Sequence, residues 1–332
     1  MALAAPLPGL RVRCVLLAAL TLWAAPGCDS RADADAAPGG AASSVASRLE
    51  ALAFVPGGQT AIDSAIDVRV DVDLLVDVYE MTVGEWSELF GDDDPIPDAF
   101  RAPLRGGAAQ PTSWATDVPV VGMTLLEARR AAALRGMRLP TTEEWVWCAI
   151  GPRSRRYPAG RRQRGLANTL ELELFRRTPV GAFESGRTPL TGIFDLLGNV
   201  WEWTDPPRPA GDWRVINAGA WPIDGGRSAP AWVLGGSYLT PARAMFGRDR
   251  SLLAQGATAQ HRASDLGLRC VADAAEYLAA LPRLGPLEAG LRSRLRAVGA
   301  RWGARSVTLL ESVAGADPDN RWVAELLAGA RG

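Results

Sequence analysis

Between Pro152 and Val271 the chain shows almost no helical periodicity, and glycine, proline and tryptophan punctuate its short apolar runs. A stretch of that length cannot be a helical bundle. Its buried backbone groups still need hydrogen-bond partners, so it must be a set of loops packed on a small sheet. Ahead of it lie three helix starts with one signature. Thr82 with Glu85, Thr124 with Glu127, and Thr141 with Glu144 each set a threonine three residues before a glutamate. In that spacing the hydroxyl accepts from the first turn and the carboxylate reaches back to the cap. The second helix should end near Gly136 and the third near Gly151-Pro152.

Before these helices, Val68, Val70, Val72, Leu74, Val76 and Val78 alternate with Asp67, Arg69, Asp71, Asp73 and Asp77. The pattern predicts a half-buried strand, bent or broken into a hairpin, with the aspartates on a solvated face. After Ala274 the character changes: Leu287, Leu291, Leu295, Val298 and Trp302 recur at helical spacing among arginines. Asp317 followed by Pro318 reads as a cap and first helical position of another helix. Residues 274–332 are therefore expected as a helical appendage, or as a surface for a partner or membrane.

Composition narrows the chemistry. A formal net charge of −1 over 332 residues offers no case for nucleic acid. All 36 basic residues are arginine, which removes amine nucleophiles and Schiff bases within the chain. The single histidine, His261, excludes a two-His-one-carboxylate iron site, an H-E-x-x-H zinc site and a His-rich copper site.

The N-terminus reads as a lipoprotein signal peptide over 1–28. Arg11 and Arg13 precede an apolar run from Val15 to Trp23, too short to span a bilayer, and then Ala25-Pro26-Gly27-Cys28. Acylation of Cys28 would anchor the protein to a membrane of the bacterial cell envelope, inner or outer being undecided. Residues 29–50, rich in Asp, Ala, Gly and Ser, read as a flexible tether. Cys148 and Cys270 then remain; in an oxidising compartment they form a disulfide if geometry permits and otherwise stay free.

Further segments occur in a telling order. Tyr79-Glu80-Met81-Thr82 follows the strand. Pro119-Val120-Val121-Gly122-Met123 leads into the second helix, and Arg138-Leu139-Pro140-Thr141-Thr142-Glu143-Glu144-Trp145 opens the third. Tyr157-Pro158-Ala159-Gly160 and Ala167-Asn168 come next, then Gly192 to Trp203 reading G-I-F-D-L-L-G-N-V-W-E-W. Gly235-Gly236-Ser237-Tyr238 and Gly267-Leu268-Arg269 complete the set. Together, over residues 52 to 273, these resemble the formylglycine-generating (sulfatase-modifying factor) family.

That resemblance implies an α+β, formylglycine-generating-enzyme-like fold related to C-type lectins, low in regular secondary structure, over residues 51–273. It implies structural calcium at Asn199, the backbone of Val200 and Glu202, with Asn168 standing at a second calcium position. It also implies that catalysis needs two cysteines binding copper(I), and their positions are held here by Thr240 and Met245. No copper is therefore expected and the domain reads as a pseudoenzyme. The iron-dependent branch of the family uses several histidines, which this chain lacks. Trp203, Tyr238, Arg248, Arg250 and Arg269 are candidates to line a cleft, Arg269 alternatively pairing internally with Glu144 or Glu202. Ser237, His261 and Asp265 could be written as a hydrolase constellation, but no nucleophile elbow is present. The expected function is a lipid-anchored envelope protein that binds or scaffolds a protein, peptide or glycan. The alternative is an enzyme of the same superfamily with different chemistry.

Overall fold

The computed structural model describes residues 38–61, 67–101, 114–151, 165–205, 231–242, 254–283 and 285–332. The signal peptide with Cys28, Tyr157 to Gly160, Met245, Arg248 and Arg250 lie outside the described residues.

The first described element corrects the tether reading: Pro38–Glu50 is a helix, α1. Its small residues suit a close neighbour rather than solvent. Val45, Ala46 and Leu49 are buried, packed with a C-terminal helix described below. Strands β1 (Leu52–Val55), β2 (Gly58–Ala61), β3 (Asp67–Val70) and β4 (Leu74–Asp77) follow. The alternating segment is thus broken at Val70. β3 pairs antiparallel with β2, while β4 leaves that hairpin to lie centrally between β1 and β9, the strand Val271–Asp273.

A central strand is covered on both faces, so Leu74, Leu75, Val76 and also Asp77 are buried. The expectation of a solvated Asp77 is therefore wrong. Both its oxygens accept from Arg135 at 2.8 Å, and one also takes the Cys270 N–H at 2.9 Å.

The three capping boxes form as the spacing predicts, at the starts of α2 (Val83–Phe90), α5 (Leu125–Leu134) and α6 (Thr142–Ile150). Single-turn helices α3 (Asp98–Arg101) and α4 (Trp114–Asp117) lie between them. α5 stops where Gly136 and Met137 donate back to Ala133 and Ala132. The remaining sheet runs β7 (Ala254–Ala257), β6 (Ala231–Leu234), β5 (Trp201–Thr204) and β8 (Leu266–Gly267). Its pairings are antiparallel except β5 with β8.

Past β9 come α7 (Ala274–Ala279), α8 (Ala289–Trp302), α9 (Val307–Ala316) and α10 (Arg321–Arg331). The last begins three residues later than the Asp317-Pro318 reading, because the Asn320 side chain caps it by accepting from Val323 N–H. α8 holds α1: Arg294 reaches Glu50, Ser43 and Ser47, and Trp302 Nε1 donates to the Leu52 carbonyl at 3.0 Å.

α8 and α10 cross in backbone contact. A Cβ on Gly299 would stand 1.9 Å from the Leu326 carbonyl oxygen, and one on Gly329 would stand 2.0 Å from that of Arg296. Propensity alone says that Gly299→Ala should stabilise a helix by about 1 kcal/mol. The contact reverses the sign. Gly299→Ala is expected to lower stability in urea denaturation, and a stabilised variant would show that the helices separate freely.

Candidate binding site

Three loops meet at one place. The Asn199 N–H donates to the Asn168 carbonyl at 2.8 Å, Gly198 N–H to the Gly235 carbonyl at 3.0 Å, and Tyr238 N–H to the Asn199 carbonyl at 3.0 Å. Leu170 N–H closes the set on the Thr240 carbonyl at 3.1 Å. Gly235 is required here: its φ is +97°, and a Cβ would meet the Leu196 carbonyl at 2.9 Å and the Trp145 ring at 3.2 Å.

Within that turn Thr240 is buried, and its hydroxyl accepts the Ser237 N–H at 2.9 Å. Ser237 is buried too. Its hydroxyl donates to Asp265 at 2.7 Å and accepts from Leu239 N–H at 3.1 Å. These bonds make Ser237 a structural hydroxyl locked to an acid, not a nucleophile beside an imidazole. His261 is half-buried, and desolvation holds its pKa below the ordinary value.

The expected cleft residues are core. Trp203 is 0% exposed and its Nε1 donates to the Met123 carbonyl; Tyr238 is 1% exposed. Burial raises the Tyr238 pKa to about 12. Arg269 is buried as well and pairs with Glu202, not Glu144, at 2.7 Å. Its other donors go to the carbonyls of Asp77 and Phe194. No cleft is built from these three side chains.

The cysteines do not pair. Both are free and buried, Cys148 on α6 and Cys270 beside the Arg135–Asp77 pair. Desolvation pushes both thiols well above their usual pKa, which keeps them protonated and unreactive.

The calcium ligand set also fails a donor test. Asn199 Oδ1 accepts from Asn168 Nδ2, Thr178 N and Thr178 Oγ1, at 3.0 to 3.2 Å. Glu202 is engaged by Arg269 and by Trp145 Nε1 at 2.7 Å, so its carboxylate is turned into the core. Beside these residues the buried Asn168 Oδ1 lacks a hydrogen-bond partner. A lone amide oxygen is not a cation site, since Ca²⁺ takes six to eight oxygens, and no cluster of metal-ligating side chains occurs among the described residues.

Residues that sequence reasoning did not single out hold this region together. Glu80 accepts from Asn199 Nδ2 at 2.7 Å and from Val200 N–H at 3.2 Å, although 119 and 120 residues separate them in sequence. Asp195, at φ +55°, accepts the Gly181 N–H at 2.7 Å. Around the buried core a rim stays in solvent: Leu174 is 40% exposed, Phe175 52% and Leu239 41%. Leu239 precedes Thr240. Leu174 and Phe175 belong to the loop fastened to Thr240 through Leu170, and to Ala242 through Glu171. Only the exposed apolar pair in Glu173-Leu174-Phe175 could have flagged this rim in the sequence.

The sulfatase-modifying factor enzyme 1-like domain family matches residues 39–274, from α1 through β9. The chain belongs to that family, and its fold is the family's mixed α+β arrangement with a helical C-terminal addition. Inactive C-alpha-formylglycine-generating enzyme 2 of Mus musculus is 32% identical over 195 residues, covering 54% of this chain and 57% of that protein. Hercynine oxygenase of Mycolicibacterium smegmatis is 30% identical over 201 residues, covering 46% of each. The chain thus spans about half the length of these curated relatives. The crystal structure of CarF aligns with a TM-score of 0.42 at 18% identity, covering 67% of this chain and 97% of CarF.

Two outcomes test this geometry. Thermal unfolding should not move when Ca²⁺ replaces EDTA; a rise in Tm would restore a cation site. The second concerns Asp195, whose pKa burial raises to about 6, opposed by the Gly181 N–H and Arg269. Its unfolded value is about 3.9, so the folded state binds the extra proton between those values and stability falls as pH rises through them. Asp195→Asn removes this titration. The variant should gain on the order of 2 kcal/mol over the wild type at pH 7 and nothing below about pH 4. Equal pH profiles in chemical denaturation would refute the assignment.

Proposed function

We propose that this chain is a lipid-anchored envelope protein whose formylglycine-generating-enzyme-like domain binds a ligand and does not oxidise one. The observation that carries this reading is the state of Thr240. Where the resemblance puts a copper-binding thiolate stands a buried hydroxyl engaged by the Ser237 backbone. A hard hydroxyl is a poor ligand for a soft ion. Around it, Leu174, Phe175 and Leu239 expose apolar surface on rigidly held loops, which suits recognition of a partner. Among a protein, a peptide and a glycan, the aliphatic and aromatic rim favours a peptide segment.

The similarity to hercynine oxygenase motivates an enzymatic alternative with other chemistry. A histidine-based iron centre would need more imidazoles than His261 supplies.

The test is site-specific photocrosslinking in envelopes carrying the full chain. A benzophenone side chain at Phe175 should yield a discrete adduct that the same probe at Leu134, exposed on α5, does not give. Matching patterns at both positions would count against a specific surface. Incubated with copper(I), oxygen and a Cys-x-Pro-x-Arg peptide, the protein should leave the peptide mass unchanged; replacement of the cysteine sulfur and two hydrogens by one oxygen would establish formylglycine chemistry instead. Cys28→Ala should shift the protein from the membrane to the soluble fraction, and unchanged partitioning would remove the lipid anchor.

A further inference from the structure

Several arginines elsewhere in this fold, fully or partly buried, follow a rule. Arg135 faces Asp77, Arg138 faces Glu144, Arg262 faces Glu127 and Arg269 faces Glu202. Arg301 lacks a carboxylate in contact but is met by the carbonyls of Leu49, Glu50 and Leu52.

Arg177 departs from the rule. It is half-buried, its Nη1 donates to the Pro119 carbonyl at 2.5 Å, and among the described residues it has no carboxylate partner and no second acceptor. Through space it is influenced by Tyr238 and by Glu80, the latter a buried carboxyl whose pKa desolvation and the neighbouring Asp195 and Glu202 raise. A guanidinium keeps its charge at neutral pH even when desolvation lowers its pKa, as it does here. Its remaining donors, Nε and Nη2, are reached by solvent rather than sealed in the core, and so are open to a ligand.

The segment leading to Arg177 adds two independent signs of a binding site. Glu173 and Phe175 adopt left-handed backbone, φ +55° and +50°, in residues that are not glycine, the kind of strain that collects at ligand sites. The strained turn holds Leu174 and Phe175 in solvent. Anchoring Nη1 on Pro119 leaves the Nε–Nη2 edge, whose parallel donors match a carboxylate.

We propose that Arg177 is the charged donor of a ligand site on this loop, and that it takes a carboxylate flanked by an apolar side chain, as an acidic peptide segment supplies. The proposal rests on the binding function above and names its ligand chemistry. Arg177 supplies the bidentate contact and the Leu174–Phe175 pair covers the neighbouring apolar group.

The experiment uses the full chain in detergent micelles and follows arginine Nε–Hε NMR signals, that of Arg177 being assigned by its loss in Arg177→Gln. The probes are N-acetyl-Phe-Asp-amide, its isosteric Phe-Asn amide, and glucuronate as a sugar acid. The Arg177 signal should shift with the acid peptide, and the Asn analogue should bind roughly 10-fold or more weakly, the range of a charge-assisted hydrogen-bond pair. Arg177→Gln should abolish this preference. Arg177→Lys, which keeps the charge but not the fork, should retain part of it and serves if the glutamine variant does not fold. Equal binding of acid and amide, or a preference that survives Arg177→Gln, would overturn the site. A response to glucuronate as strong as to the peptide would overturn the peptide assignment. Crosslinking at Phe175 with no acid preference would sink this subsite alone; acid preference without crosslinking would sink the partner-binding function alone.

Discussion

The Arg269–Glu202 pair sits where the two larger sheets and α6 meet. Arg269 lies one residue before Cys270 and two before β9, Glu202 is on β5, and the same guanidinium holds the carbonyls of Asp77 on β4 and Phe194 in the connecting loops. Trp145 of α6 donates to the carboxylate from a third direction. Two small sheets and a helix are thereby fixed by one charge pair. A protein with so little regular structure cannot rely on long ladders to orient its sheets, and a directional, fully satisfied ionic contact does so instead. The cost of desolvating both charges is severe, and removing either partner from such a pair costs about 3–5 kcal/mol because the other is left buried and unmatched. The pair is thus as much a specification of the arrangement as a source of stability.

Local features were legible in the sequence and non-local ones were not. The capping boxes at Thr82, Thr124 and Thr141 formed as read, since threonine, glutamate and the orphan N–H groups lie within one turn. The alternation from Asp67 to Val78 gave strands but misplaced Asp77, whose partner Arg135 is 58 residues away in sequence. The same limit explains α1. Its Ala, Ser and Gly content reads as a tether until Arg294 and Arg301, some 250 residues on, are seen to hold it. Asp317-Pro318 carries a convincing cap signature, yet Asn320 won the position by accepting from Val323 and donating to the Leu278 carbonyl.

The site shows why family resemblance carried the fold further than the chemistry. Backbone bonds from Gly198 to Gly235 and from Tyr238 to Asn199 define the turn without using the side chain at position 240. A residue there can change without loss of the scaffold, provided it suits the enclosed space. Threonine does more than fit. Its hydroxyl accepts the Ser237 N–H, a buried donor that a thiol would satisfy weakly. That bond closes the turn with protein groups. Trp203, Tyr238 and Arg269 were read as cleft residues because polar and aromatic side chains mark functional surfaces as well as cores, and sequence alone does not separate the two.

The interior around this turn is unusually acidic for the cations available. Glu80, Asp195 and Glu202 share one guanidinium, that of Arg269, and burial raises the pKa of the first two. Glu80 nevertheless receives two N–H donors, from Asn199 and Val200, so its oxygens are matched whatever its charge. Of the three, Glu80 also lies within electrostatic range of Arg177, the half-buried guanidinium in the loop that exposes Leu174 and Phe175. The loop from Glu173 to Arg177 can then set the Arg177 guanidinium beside the exposed Leu174 and Phe175, the arrangement that the proposed discrimination between an acid and its amide requires.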